Sequence, residues 1–311
     1  MSLPKVTVVG AGQVGATAAF LMALRGLANI VLVDVAEGIA RGKALDMMHA
    51  RSVEKFKPTV VGSGDYVLTA GSDVVVITAG IPRRPGMSRE DLLSTNGAIV
   101  RSVIASVRES SPEAVIVCVT NPLDVMTHLA WRESGLPASR VLGMGGVLDS
   151  ARFAYFIAQA TGAPIDDVDA VVIGVHGDTM VPLPRFSTVA GTPLTSLLPP
   201  DDVAEVVRRT VDGGAEVVSL LQSGSAYHAP AASVTAMVAA ILGDTGEVMP
   251  SCVLLEGQYG LSGLHLSVPA ALGAGGVRKV IELELSDSET SALRASAEGV
   301  AQVLASLAIG D

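Results

Sequence analysis

"VTVVGAGQVGATAAFLMALRG", residues 6–26, runs from a short β-branched stretch through three glycines into a helix-forming segment. Gly10, Gly12 and Gly15 have the spacing GxGxxG. That spacing alone is a weak signal, but between a strand and a helix each glycine has a physical role. The first permits the tight turn, the second lets backbone approach a diphosphate, and the third lets helix and strand pack closely. The helix that the motif opens offers unpaired N–H groups to phosphate. Asp34 ends the next β-branched run, "NIVLVD", 19 residues after Gly15. A carboxylate there can accept hydrogen bonds from both ribose hydroxyls and repel a 2′-phosphate, which favours NAD over NADP. Taken alone it is equally suited to capping a turn.

Moving outward, short apolar runs recur at "DVVVITAG", "AVIVCVT" and "RVLGMG", with helically spaced apolar residues between several of them. Runs such as 74–77 and 115–119 are apolar on both faces, as strands covered by helices on two sides must be. The pattern predicts an α/β fold, an N-terminal Rossmann doubly wound parallel sheet over residues 1–143. The rhythm then changes. A helical stretch near 147–161, an apolar strand "DAVVIGVHG", an amphipathic segment over 203–221, a helix from about 229, two antiparallel strands and a helix over roughly 286–307 predict an α+β substrate or catalytic domain over 144–311. The two parts are expected to pack closely, with the seam as a candidate site. A second glycine cluster, "LGAGGVRKV", has Arg278 where a third glycine would stand and reads as an ordinary turn.

Composition narrows the function. The 311 residues carry a net charge of −10 and 3% aromatics, which argues against a nucleic-acid surface. No run of 18 or more apolar residues escapes a charge or a helix breaker, and the N-terminus lacks the features of a signal peptide. No membrane partner and a cytoplasmic location are expected. Two distant cysteines, Cys118 and Cys252, and five histidines without metal-ligand spacing imply neither a disulfide framework nor a metal.

Against this acidic background "AGIPRRPGMSRE", residues 79–90, gathers Arg83, Arg84 and Arg89 on a segment that Pro82, Pro85 and Gly86 keep from being helical. It is either a solvated basic loop or a movable clamp for a small anion. His176 stands at the end of the run "AVVIGV", where an imidazole can be structural or chemical. Asp149 and Arg152 in "VLDSARFAYF" are three residues apart and share a helix face, as a surface ion pair or as partners of a site. Hydride transfer to a carbonyl needs a proton donor that titrates near neutrality, and histidine suits it. A carboxylate behind the ring would fix its tautomer, and an arginine can hold a substrate carboxylate with two parallel hydrogen bonds.

Seven ordered motifs, "GAGQVG", "VDVAEGIARGKALDM", "TAGIPRRPGMSREDLL", "VTNPLDVMTH", "GMGGVLDSARF", "VHGDTMVPL" and "GSAYHAPAASV", span nearly the whole chain. Together they resemble the lactate/malate dehydrogenase family. The resemblance implies reversible hydride transfer between NAD(H) and malate/oxaloacetate, a step of the tricarboxylic acid cycle, with lactate or another 2-hydroxy acid as the alternative substrate. It implies His176 as proton donor and acceptor, Asp149 as its partner, Arg152 as the clamp on the C1 carboxylate and Asn121 beside the substrate oxygen and nicotinamide. Asn96 and Val119 join Gly10, Gly12, Gln13, Val14, Gly15, Asp34 and Asn121 as expected cofactor contacts. The arginine segment becomes a lid on which Arg89 polarises the reacting carbonyl and Arg83 reads a second carboxylate. Ala226 leaves room for the dicarboxylate. Arg84 acquires no role, and His228 departs from a commonly aromatic position. A homodimer or homotetramer is implied.

Overall fold

A computed structural model describes residues 3–82 and 88–306, with the backbone alone at Arg89 and residue 306. The first half alternates as the sequence predicts. The chain runs β1 (Lys5–Val9), α1 (Gln13–Leu24), β2 (Asn29–Val33), α2 (Glu37–Glu54), β3 (Val60–Ser63), β4 (Val74–Ile77), α3 (Arg89–Ser110), β5 (Val115–Cys118), α4 (Leu123–Ser134), β6 (Val141–Gly143) and α5 (Gly146–Thr161). These six strands pair in parallel in the order β3-β2-β1-β4-β5-β6. Every residue of β4 and β5 is buried, because helices cover both faces. Strand order reverses between β1 and β4, so the loops that leave those two strands diverge and open a crevice at their C-terminal ends. The glycine turn leaves β1 into that crevice.

Beyond α5 come β7 (Val168–Asp169), β8 (Val172–Gly174), β9 (Met180–Pro182), β10 (Thr188–Val189), β11 (Thr192–Pro193), α6 (Leu194–Leu197), α7 (Pro200–Leu221), α8 (His228–Leu242), β12 (Val248–Glu256), β13 (Ser262–Gly273), β14 (Gly276–Val280) and α9 (Asp287–Ser306). The large sheet does not stop at β6. It continues antiparallel through β12, β13, β8 and β9, with β14 beside β13. The join is a single bridge, Cys252 opposite Gly143. Both halves therefore share one eleven-stranded sheet as well as packing together. The second glycine cluster is the hairpin between β13 and β14, with Gly273 paired to Gly276, and is the ordinary turn its sequence suggests.

Two apolar clusters hold these layers. The larger follows the big sheet, and the smaller gathers Phe153, Phe156 and Ile157 of α5 with Val172, Met180 and Val206. Phe153 is fully buried, and truncating such a side chain costs about 3–5 kcal/mol. That packing sets the height of α5 and with it the position of Asp149 and Arg152. Among the described residues no helix is long and apolar enough to cross a membrane, and no group of three or more His, Cys, Asp or Glu is placed to hold a metal ion.

Candidate active site

The glycine turn has the shape a dinucleotide needs. Gly10 sits at φ +106°, and a β-carbon there would stand 2.7 Å from the Ala79 amide nitrogen. A β-carbon at Gly15 would collide with the Gly10 carbonyl oxygen, so helix α1 packs onto the turn only because that residue is glycine. Beside Gly12 the space is open. Gly12 is also the N-cap of α1, with no side-chain cap and no acid in the first turn, so the N–H groups there are free for an anion. Asp34 accepts from the Ala11 N–H at 2.7 Å and the Ala36 N–H at 2.9 Å. The carboxylate thus fixes the turn, and each oxygen keeps a lone pair for a ribose hydroxyl. Gln13 is exposed and Val14 half-buried at the first turn of α1.

At the end of β8, His176 stands beside the start of α4, where its backbone N–H meets Asp124. Its Nδ1–H donates to Asp149 Oδ2 at 2.9 Å, which leaves Nε2 as the ring nitrogen free for chemistry. Arg152 Nη1 donates to the other oxygen, Asp149 Oδ1, at 3.4 Å. Asp149 is 1% exposed, so its charge is desolvated and needs both partners. Burial alone would pull the His176 pKa down. The charge and hydrogen bond of Asp149, with the charge of Asp124, outweigh that and hold it above its ordinary value, although Arg152 works against them. Burial lowers the Arg152 pKa, with Asp149 opposing it, and an arginine stays charged regardless. A groove of about 510 Å³ between α5, α7 and α8 opens beside Arg152 and includes Phe156, Arg209 and Ala226 in its wall.

The two halves of this geometry meet known proteins at the family level. Residues 4–143 match the lactate/malate dehydrogenase NAD binding domain, and residues 146–307 match the alpha/beta C-terminal domain of the same family. The chain belongs to the lactate/malate dehydrogenase family. Among relatives of this family, malate dehydrogenase of Thermomicrobium roseum is 52% identical over 300 residues, 96% of this chain and 97% of that protein. Malate dehydrogenase of Synechocystis sp. is 51% identical over 296 residues, 95% of this chain and 91% of the relative. In structure, malate dehydrogenase of Salinibacter ruber superposes with a TM-score of 0.94 at 45% identity, covering 97% of each chain. A lactate dehydrogenase of Cryptosporidium parvum, solved with lactic acid and nicotinamide adenine dinucleotide, superposes at 0.96 with 40% identity and full coverage of both.

Within this family member the structure adds residues that the motifs did not reveal. Asp124, 2% exposed at the start of α4, accepts the His176 backbone N–H at 3.0 Å through Oδ2 and the Cys252 thiol at 3.4 Å through Oδ1. Burial pushes its pKa up to about 6 despite the opposing charge of His176. In the sequence it resembles any acid in a first helical turn, placed there to suit the helix dipole. Asn96 is 1% exposed and fully occupied by backbone. Its Oδ1 accepts the Ile81 N–H at 2.9 Å, while Nδ2 donates to Ile81 O at 3.1 Å and Asn121 O at 2.7 Å. Both amide hydrogens are spent, so Asn96 acts as a strut between the start of the arginine segment and Asn121 rather than as a free donor to a cofactor. Val119 likewise donates its backbone N–H to Ile77 O, at 2.8 Å, and Asn121 is exposed at the crevice. Arg83 and Arg84 lie outside the described residues. Arg89 opens α3, behind a Ser88–Asp91 capping box, and its side chain is outside the described set.

A second buried pair lies away from the crevice. His128 of α4 and His265 of β13 meet Nδ1 to Nδ1 at 3.2 Å beside Trp131. Burial pushes the His128 pKa down to about 4, with the charge of Arg132 adding to it, and the His265 pKa down to about 3, with His128 adding to it. His265 Nε2 has no hydrogen-bond partner. These rings are poised to stay neutral.

Proposed function

We propose that the chain is an NAD-dependent L-malate dehydrogenase that interconverts malate and oxaloacetate. The observation that carries this is the His176–Asp149–Arg152 cluster, in a chain about half identical to proteins named malate dehydrogenase. Gly10, Gly12, Gly15 and Asp34 would hold the dinucleotide, which when bound as NADH would supply the hydride that reduces C2 of the substrate. His176, protonated, gives its Nε2 proton to the C2 oxygen, and Asp149 stabilises the imidazolium before that transfer and after the reverse one. Arg152 holds the C1 carboxylate through parallel hydrogen bonds, which fixes the carbonyl against the imidazole. Arg89 polarises that carbonyl, Asn121 hydrogen-bonds beside it, and Arg83 pairs with the second carboxylate. Since His176 titrates above its ordinary value, oxaloacetate reduction draws on the form populated at lower pH and malate oxidation on the form populated at higher pH.

Arg83 is the discriminating residue. Over the methyl of pyruvate its cation would be desolvated without a partner, and polar-pocket mismatches of that kind cost on the order of 10⁴-fold in rate. The experiment compares loss of NADH absorbance with oxaloacetate and with pyruvate, for wild type and Arg83→Gln. Fast oxaloacetate turnover, near silence on pyruvate and a shift of that ratio in the variant are expected. Strong pyruvate turnover by the wild type would instead favour the lactate reading, to which the likeness to the Cryptosporidium lactate dehydrogenase gives its support.

The division of labour is placed at 143/144, with cofactor held by the first part and substrate by the second. The enzyme is assigned to the cytoplasm as a homodimer or homotetramer. Exposed Ile39, Leu45 and Val53 on α2 supply apolar surface for that assembly.

A further inference from the structure

The Ala11 peptide, in the middle of the glycine turn, is gripped from both sides by charge. Its N–H donates to Asp34, and its carbonyl accepts from Lys43 Nζ at 2.8 Å. The same ammonium reaches the Gly12 carbonyl at 3.4 Å. Lys43 comes from α2, far from the turn in sequence, and it arrives because α2 lies hard against β3. A β-carbon at Gly62 would collide with the Ala40 backbone, so only glycine allows that approach. Ala40 and Ala44, the small residues around Lys43 on the helix, are buried beneath it. Ala11 itself is 1% exposed.

Lys43 is half-buried, and a lysine held on backbone carbonyls gives up side-chain freedom and part of its solvation. It stays only where something repays that. Two of its three N–H bonds can go to Ala11 and Gly12, and one is left over. Gly12 is the residue beside open space at the uncapped start of α1, the place the turn offers to a diphosphate. In a chain of net charge −10, a dianion also needs a local cation to enter.

We propose that Lys43 is a cofactor-affinity residue, a cation that braces the glycine turn through Ala11 and Gly12 and stabilises the diphosphate of the dinucleotide. It acts on the phosphates and not on the adenosine or the nicotinamide. The proposal rests on the NAD-dependent reading above. Its test measures binding, so the two can fail separately.

Lys43→Gln keeps a donor for the Ala11 carbonyl but carries no charge, and Lys43→Met removes both. NADH affinity is measured by fluorescence titration, and ADP-ribose and adenosine by displacement of NADH, at low and high salt, with thermal melting as the fold control. Lys43→Gln is expected to lose about tenfold in affinity for NADH and ADP-ribose, the scale of one charge-assisted bond. Adenosine should bind as to wild type, and the salt dependence of NADH binding should flatten, since one screened attraction is gone. Lys43→Met should lose at least as much. If Lys43→Gln binds NADH within about twofold of wild type, or loses adenosine to the same extent as ADP-ribose, the diphosphate role is overturned. If wild type itself fails to bind NADH, it is the dehydrogenase reading that falls.

Discussion

Asp34 and Asp149 are both aspartates with a hydrogen bond to each oxygen, yet they are built for different work. Asp34, half-buried, takes its bonds from the amides of Ala11 and Ala36, so its charge is used to hold backbone in place. Asp149, buried, takes its bonds from His176 and Arg152, so its charge is used to set the state of other ionisable groups. At the glycine turn geometry is the product. At the His176 cluster geometry is the means, and the product is a raised imidazole pKa.

The sharpest way to break this contrast is His176→Gln. Loss of the acid/base group should cost kcat about 10²–10⁴-fold while NADH affinity stays at the wild-type value, as read by steady-state kinetics beside a binding titration. A parallel loss of NADH affinity would show that the two regions are not separable. A finer probe is Asp124→Asn. The amide oxygen can still accept the His176 N–H, so the backbone prop survives while a buried negative charge disappears. The pKa of His176 should then fall. The pH at which oxaloacetate kcat/KM declines and the pH at which malate kcat/KM rises should both move downward, with a smaller rate loss than for His176→Gln. An unmoved pH profile would make Asp124 a prop and nothing more. The smallest effect concerns stability.

His128 and His265 have folded-state pKa values lowered to about 4 and about 3 from 6.5. Below 6.5 the unfolded chain binds their protons and the folded chain does not, so they remove stability as pH falls, each at up to about 1.4 kcal/mol per pH unit until its folded pKa is reached. His265→Gln should therefore lose less stability than wild type between pH 6.5 and 5 in denaturant titrations. Equal losses would mean that the pair is protonated in the native fold.

Most of the architecture was legible in sequence because its causes are local. β-Branched runs, a three-glycine turn and an i, i+3 acid–arginine pair each fall within one short window, and each lands on the element it implies. The strand β3 is not legible in sequence, since four residues with a glycine among them carry no periodicity of their own. The join of the two halves is hard to see in sequence because it depends on one bridge between Gly143 and Cys252, 109 residues apart. Asp124, Lys43 and the strut role of Asn96 escaped for the same reason. Their partners lie 52, 32 and 15 or 25 positions away, and only the folded sheet brings them together. Arg83 and Arg89 remain assigned by family resemblance.

The shared sheet also governs how this chain can be made and cut. A ribosome completes β6 some hundred residues before β12 exists, and until then the last parallel strand has bare backbone N–H and C=O groups along one side. An exposed strand edge is a template for pairing with another chain. Residues 1–143 made as a separate fragment would keep the segment that matches the NAD binding domain and gain an aggregation site, so the end of β6 is a poor place to divide the polypeptide.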